Sequence, residues 1–316
     1  MMTREPSNTS TTTPRSGVRP SSVSRELGRV FQQEDINFLL TNRIPRRFAN
    51  RFMYWFGRIQ NPLVRAISIR TWKLFASDLD LSEAKKDRFS SLHDCFIREL
   101  VDGARMPDPE PTIVCSPCDG IVGTFGKIEG TELIQAKGFP YTLEDLLVDE
   151  ERVDRFRDGV FVTIRIKSSM YHRFHAPTDC HVSKVDYVSG DTWNVNPIAL
   201  RRVEGLFTKN ERAVVDLELE EPDQNLTLVP VAAILVGGIV MNCLDGPLDL
   251  AYRGPNRIPC DASFEKGEEM GYFQHGSTII ALASGGLELH EDLVEGSTIR
   301  VGQPLLRSPL PLHSLR

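Results

Sequence analysis

The spacing of apolar positions changes along the chain, and the changes divide it. Residues 1–24 (MMTREPSNTSTTTPRSGVRPSSVS) are rich in Ser, Thr and Pro and carry few apolar side chains. That composition predicts a flexible leader, because too little apolar surface is available to bury. From 25 to 76, Leu39, Leu40, Phe48, Phe52, Trp55, Phe56, Leu63, Ile67, Trp72, Leu74 and Phe75 recur at helical spacings. Amphipathic helices are expected there, with Pro45 and Pro62 at or near first turns. Ser82 with Glu83 suits a further helix start, and Ser91 to Leu100 reads as another short amphipathic stretch. MPDPEP, Met106 to Pro111, reads as a linker.

Beyond the linker the period shortens. TIVC, GIVGTF, VFVTIRI, HVSKVDYV, AVVDLEL, LTLVPVAAILVGGIV, STIIAL and STIRV are β-branched runs of strand length punctuated by Gly and Asp. Among them, Thr142 to Phe156 (TLEDLLVDEERVDRF) predicts one helix with Thr142 as its N-cap. The fold class expected is α+β: helices over 25–110, then a β-rich domain over 111–316. The longest nearly apolar run, Leu228 to Met241, is shorter than the roughly 18–20 residues that cross a bilayer. Pro230 and Gly237-Gly238 interrupt it, so it reads as a buried strand with a break.

Charge alters the picture in one place. The net charge of −6 gives no reason to expect a nucleic-acid partner. From Arg43 to Lys73, however, basic residues alternate with the apolar ones and no acidic residue occurs. Such a segment suits a membrane interface, with cations near anionic headgroups and rings at the acyl boundary; packing of the apolar faces on the protein's own core is the other reading, and the two are compatible. The six cysteines, in a chain whose first 24 residues hold no apolar signal segment, read as free thiols in a reducing compartment. Cys115 and Cys118 form a lone CxxC, weak as a zinc signature and equally a pair of small residues flanking a turn.

Three stretches carry candidate chemistry. Gly276 precedes Ser277 at the mouth of a β-branched run; a serine so placed can attack its own preceding carbonyl where the backbone is strained and a base is near, although Gly-Ser-Thr is also a common turn. YHRFHAPTDC sets His172 and His175 three residues apart. Two such imidazoles can serve as acid and base, can ligate a metal with Cys180 or His181, or can be a partly exposed pair. In CSPCDGIVG, Asp119-Gly120 reads as a tight turn, or Asp119 orients a histidine as the acid of a Ser-His-Asp set does.

Taken together and in order, SPCDG (116–120), QAKGFPYTLEDLL (135–147), YHRFHAP (171–177), NVNPIAL (194–200), LFTKNERAVV (206–215), LVGGIV (235–240), KGEEMGYF (266–273), GST (276–278) and VGQPL (301–305) resemble the phosphatidylserine decarboxylase family from about residue 92 to residue 306. The resemblance implies a proenzyme that cuts itself between Gly276 and Ser277. Ser277 would attack the Gly276 carbonyl with His175 as base and Asp119 behind it. Elimination of the ester and loss of ammonia would then leave a pyruvoyl cofactor at residue 277. The products would be a β chain of 1–276 and an α chain of 277–316 that completes the sheet. The pyruvoyl carbonyl is the electron sink that decarboxylation requires, and His172 would donate the proton to the new carbanion. No metal is implied. The expected partners are phosphatidylserine and an anionic membrane surface, with peripheral attachment at the cytoplasmic face of the cell membrane; a homodimer is compatible with the resemblance. A same-family decarboxylase of another serine lipid or a free amino acid, or an uncleaved lipid-binding protein, are the alternatives. Two positions depart from the family pattern: His275 stands where leucine is usual and Gly238 where serine is common.

Overall fold

The computed structural model describes residues 46–136, 139–234, 238–249, 251–274 and 277–312. The leader, the first part of the amphipathic region with Leu39, Leu40 and Pro45, and the His275-Gly276 pair lie outside these residues. Two helices come first, α1 (Arg46–Gly57) and α2 (Pro62–Phe75). Pro62 occupies the first turn of α2, as the sequence predicts, and Asn61 Oδ1 caps the helix by accepting from the Leu63 and Val64 amides. No residue of α2 is buried, and Phe48, Phe52, Trp55, Leu63 and Ile67 are exposed. The apolar faces of these helices therefore do not pack into the protein's own core.

The expected helix at Ser82 does not form. Asp80 Oδ1 accepts the Ser82 amide, closing a turn in its place. The next helix is α3 (Leu92–Phe96), capped by Ser91 Oγ on the Asp94 amide. Then follow β1 (Ile113–Cys115), β2 (Gly120–Lys127), β3 (Glu132–Ala136), β4 (Phe139–Thr142), α4 (Leu143–Leu147), α5 (Glu150–Phe156), β5 (Val160–Ile166), β6 (Arg173–His175) and β7 (Cys180–Val188). The remainder is α6 (Pro197–Leu200), α7 (Leu206–Lys209), β8 (Arg212–Leu217), β9 (Asn225–Ala232), β10 (Ile239–Met241), β11 (Arg257–Phe264), β12 (Glu269–Phe273), β13 (Ser277–Ser284), β14 (Glu288–Leu289), β15 (Thr298–Ile299) and β16 (Pro304–Arg307).

Eight strands form one antiparallel sheet in the order β11-β7-β8-β9-β13-β5-β2-β15. Both of its faces are covered, so its central strands read as continuous apolar runs rather than alternating ones. Ile279, Ala281, Ile164, Ile166 and Ala232 belong to one core; Ile280, Leu282, Phe161, Val229 and Val231 belong to the other. Successive residues of a strand face opposite sides, which sorts the two sets. The second core is closed by Leu143, Leu146, Leu147 and Phe156 of α4 and α5 and by Phe207 of α7. The first is closed by the small sheets β10-β12-β6 and β1-β16-β14, through Phe174, Phe273, Met241 and Leu306. The C-terminal segment thus completes the main sheet, with β13 at its centre.

The single helix expected over Thr142–Phe156 is two. Thr142 caps the first as predicted, but Val148 ends it in the left-handed conformation at φ 54°, and Asp149 caps a second. The break turns α5 so that the buried Arg152 sits between Asp186 and Asp216. Val148 is β-branched, exposed, and held where glycine is usual. Val148→Gly is therefore expected to raise stability by about 1 kcal/mol, read as a higher melting temperature without loss of the native circular dichroism spectrum.

Candidate active site

β13 begins with Ser277, which pairs with Ile166 of β5 on one side and Ala232 of β9 on the other. Its side chain is fully buried, and Oγ has no hydrogen-bond partner among the described residues. An orphaned buried hydroxyl typically costs about 1–3 kcal/mol, and natural structures keep few of them.

His172 lies just before β6, where its carbonyl accepts the Phe273 amide. It is fully buried, with the Phe96 ring tilted against it at 3.9 Å between centroids. Nδ1 lies 2.9 Å from the Met170 carbonyl, so Nδ1 carries the proton and donates it there, while Nε2 has no partner. Burial, with the Arg98 charge nearby, pulls its pKa down to about 3. His172 is therefore a neutral imidazole with a free lone pair, an acceptor in this state rather than the ready acid the sequence suggested.

His175 is placed differently. Nδ1 donates to the Gly267 carbonyl at 2.8 Å, and Nε2 accepts from the Tyr171 hydroxyl at 3.0 Å. Burial holds its pKa below the ordinary value, while Gly267 and the Glu269 and Asp119 charges oppose the shift. The expected hydrogen bond from Asp119 to His175 is not made. The His175 amide donates to the Pro117 carbonyl, so the loop bearing Asp119 runs alongside, but the carboxylate turns to Arg105, which holds it through Nε and Nη2 at 2.7–3.1 Å. Asp119 Oδ1 also accepts the Val301 amide at 2.9 Å. A guanidinium fork saturates a carboxylate more completely than one imidazole N–H can, and the Val301 contact ties the SPCDG loop to VGQPL. Among the described residues no hydrogen bond links Ser277, His175 and Asp119 to one another. Gly276, whose carbonyl would be attacked, lies outside the described residues.

The amphipathic helices reach this region through two contacts. Trp72 of α2 stacks on Phe96 at 5.7 Å, and Phe96 in turn covers His172. Arg58, directly after α1, donates to Gln274 Oε1 at 2.9 Å. Gln274 also bonds through its amide to the Gly238 carbonyl. Gly238 takes φ 150°, which side-chain-bearing residues rarely adopt, and a Cβ there would lie 3.3 Å from Gln274. Glycine in place of the family's serine thus suits this backbone. Cys115 and Cys118 are buried free thiols, and no group of three or more His, Cys, Asp or Glu side chains among the described residues is arranged to hold a metal.

The sequence profile of the phosphatidylserine decarboxylase family matches residues 92–307. The chain belongs to the phosphatidylserine decarboxylase family. It is similar to phosphatidylserine decarboxylase proenzymes of Saccharophagus degradans (30% identical over 286 residues, 86% of this chain and 96% of the relative) and Pasteurella multocida (36% over 275 residues, 83% and 91%). A third such proenzyme, from Aliivibrio salmonicida, is 33% identical over 249 residues, covering 74% of this chain and 84% of the relative. The family motifs converge on this part of the fold. NVNPIAL lines a cavity beside β5, and Gln135 of QAKGF spans to the Leu200 and Val203 carbonyls.

One residue of LFTKNERAVV escaped sequence reading as anything but a motif member. Glu211 is fully buried, and its carbonyl accepts the amide of Ala232, the strand neighbour of Ser277. Its Oε2 takes a hydrogen bond from Tyr187 at 3.1 Å, and Oε1 has no partner. Burial raises its pKa to about 8, so the carboxyl keeps its proton at neutral pH. A carboxyl that binds its proton more tightly when folded loses stability as pH climbs from the ordinary glutamate range through about 8. Glu211→Gln removes that loss. Its melting temperature should exceed that of the unsubstituted chain at about pH 9, with a much smaller difference at about pH 5, measured by differential scanning fluorimetry.

Proposed function

We propose that this chain cleaves itself between Gly276 and Ser277 and then decarboxylates phosphatidylserine at an anionic membrane surface. The observation that carries the reading is Ser277 itself: an unpartnered, buried hydroxyl after a glycine, at the first position of the central strand. Cleavage needs Ser277 Oγ to lose its proton, bond to the Gly276 carbonyl carbon and displace the amide nitrogen, which takes up a proton. His175 accepts the Oγ proton, and the Asp119 charge favours the resulting imidazolium through space. The ester then breaks by elimination across Cα and Cβ of residue 277, and hydrolytic loss of ammonia leaves the pyruvoyl group. The residues present fit such a group, because the position is dry, fixed on both sides and next to a cavity.

A pyruvoyl group at residue 277 would supply the electron sink for the pair freed by departure of CO2. This chain's own part is proton handling. The lone pair on His172 Nε2 takes the proton that the substrate ammonium must shed, and the same nitrogen returns it to the carbon that loses CO2. A neutral imidazole at the outset is what that order requires. The exposed apolar side chains of α1 and α2, interleaved with Arg51, Arg58, Arg65, Arg70 and Lys73, support contact with an anionic bilayer. No helix among the described residues is long and apolar enough to cross a membrane, and peripheral attachment at the cytoplasmic face is the location we propose.

Cleavage predicts chains of 276 and 40 residues. The shorter supplies β13–β16, so the two should co-purify and part only on a denaturing gel. Ser277→Ala should leave one full-length chain, and finding both fragments in that variant refutes the assignment. His172→Ala should still cleave but release no CO2 from labelled phosphatidylserine. A second reading is that His172 is the cleavage base, because its Nε2 is unpartnered whereas both His175 nitrogens are engaged; an uncleaved His172→Ala chain would establish it. On vesicles, the cleaved enzyme should decarboxylate phosphatidylserine and leave free serine untouched. The reverse preference would make this an amino-acid decarboxylase.

A further inference from the structure

Beyond the ends of β5 and β9 lies a cavity of about 480 Å3. Ile166, the partner of Ser277, lines it, as does Ala233, next to the other partner, Ala232. Phe96, which covers His172, forms another part of the wall. Arg165 and Ile166 face opposite sides of β5 and both line the cavity, so it wraps round the end of the sheet next to the reacting residue.

The charges around it do not balance. Lys167 in the wall is paired with Asp78. Arg98 lies behind Ser169, donating through Nη2 to its carbonyl, with Nε and Nη1 buried and unpartnered. Arg165 lines the cavity directly, is partly buried, and makes no hydrogen bond or ion pair among the described residues. Burial alone lowers its pKa, with no carboxylate opposing the shift. A partly desolvated guanidinium without a counter-ion is unfavourable in isolation, and its fork geometry matches two oxygens of a phosphate or carboxylate. In a chain of net charge −6, this is a local deficit of negative charge beside the site.

We propose that Arg165 binds the headgroup phosphodiester of the lipid substrate and so selects a phospholipid over a free amino acid. This rests on the phosphatidylserine reading above. The phosphodiester fits better than the substrate carboxylate for a chemical reason. The carboxylate must leave as neutral CO2, so a guanidinium on it would stabilise the ground state and oppose the reaction. The phosphate keeps its charge throughout. Only a methylene and an oxygen separate its phosphorus from the carbon that loses CO2, and Arg165 lies opposite Thr278, one residue from Ser277.

A contact that is equal in ground and transition states appears in KM and not in kcat. Arg165→Gln in the full chain should therefore cleave itself normally. Its KM for phosphatidylserine in mixed micelles should rise by about tenfold or more, with kcat within about twofold, and Arg165→Lys should fall between. Glycerophosphoethanolamine, which has the phosphodiester and no carboxylate, should inhibit the unsubstituted enzyme competitively and lose that effect in Arg165→Gln; serine should not behave so. An unchanged KM, a fall in kcat alone, or an Arg165-dependent effect of serine instead would overturn the assignment. Inorganic phosphate should compete more weakly, and equal competition would make this a general anion site. If the unsubstituted enzyme does not act on phosphatidylserine at all, the reading of the substrate fails. Calorimetric binding of glycerophosphoethanolamine, lost in Arg165→Gln, would then still establish the phosphodiester site, and no loss would refute it.

Discussion

A hydroxyl kept in a dry interior with no partner is an unfavourable arrangement, and the placing of Ser277 depends on the whole β-rich domain. β13 is hydrogen-bonded along its length to β9 and β5, and its side chains enter both cores. The strand cannot shift to relieve Ser277 without turning the Ile279 and Ile280 series to the wrong faces. The same pairing explains why a break just before Ser277 would be tolerated. The C-terminal segment is held by β9 and β5, by β1 through β16, by β2 through β15, and by the Asp119 contact with Val301. None of these attachments runs through the bond that would be cut.

The electrostatics near Ser277 follow from the same dryness. His172 and His93 are buried near guanidinium groups and are held neutral well into acid, while Glu211 is held neutral well above the ordinary glutamate range. Arg98 and Arg165 stay charged without carboxylate partners. The interior thus suppresses charges that can be lost, and the Arg98 and Arg165 charges that remain near Ser277 make it receptive to an anion.

Much of this was legible from residue order. The β-branched runs marked β5, β7 and β13, and the near-continuous burial of β5 and β13 is what a sheet covered on both faces requires. Thr142 announced its cap and Pro62 its first turn correctly. The Val148 break was hidden because a β-branched residue is the last expected in a left-handed turn, and the advantage lies in long-range ion pairs of Arg152 with Asp186 and Asp216. The site was half legible. Motif order marked Asp119, His172, His175 and Ser277, but not that Arg105 would hold Asp119, nor that Gly267 and Tyr171 would occupy both nitrogens of His175. Those partners are distant in sequence and carry no local signature. Glu211 was only a motif member and Arg165 lay inside a strand-like run, and only long-range backbone pairing brought them near Ser277.

The helices α1 and α2 share little of the core, yet each is one side chain away from the chemistry: Arg58 grips Gln274, three residues ahead of Ser277, and Trp72 leans on the ring that covers His172. A tilt of α2 would displace the ring pair of Trp72 and Phe96, and a shift of α1 would be felt at Gln274. On the membrane reading proposed above, a surface bearing on these helices would be mechanically coupled to the site.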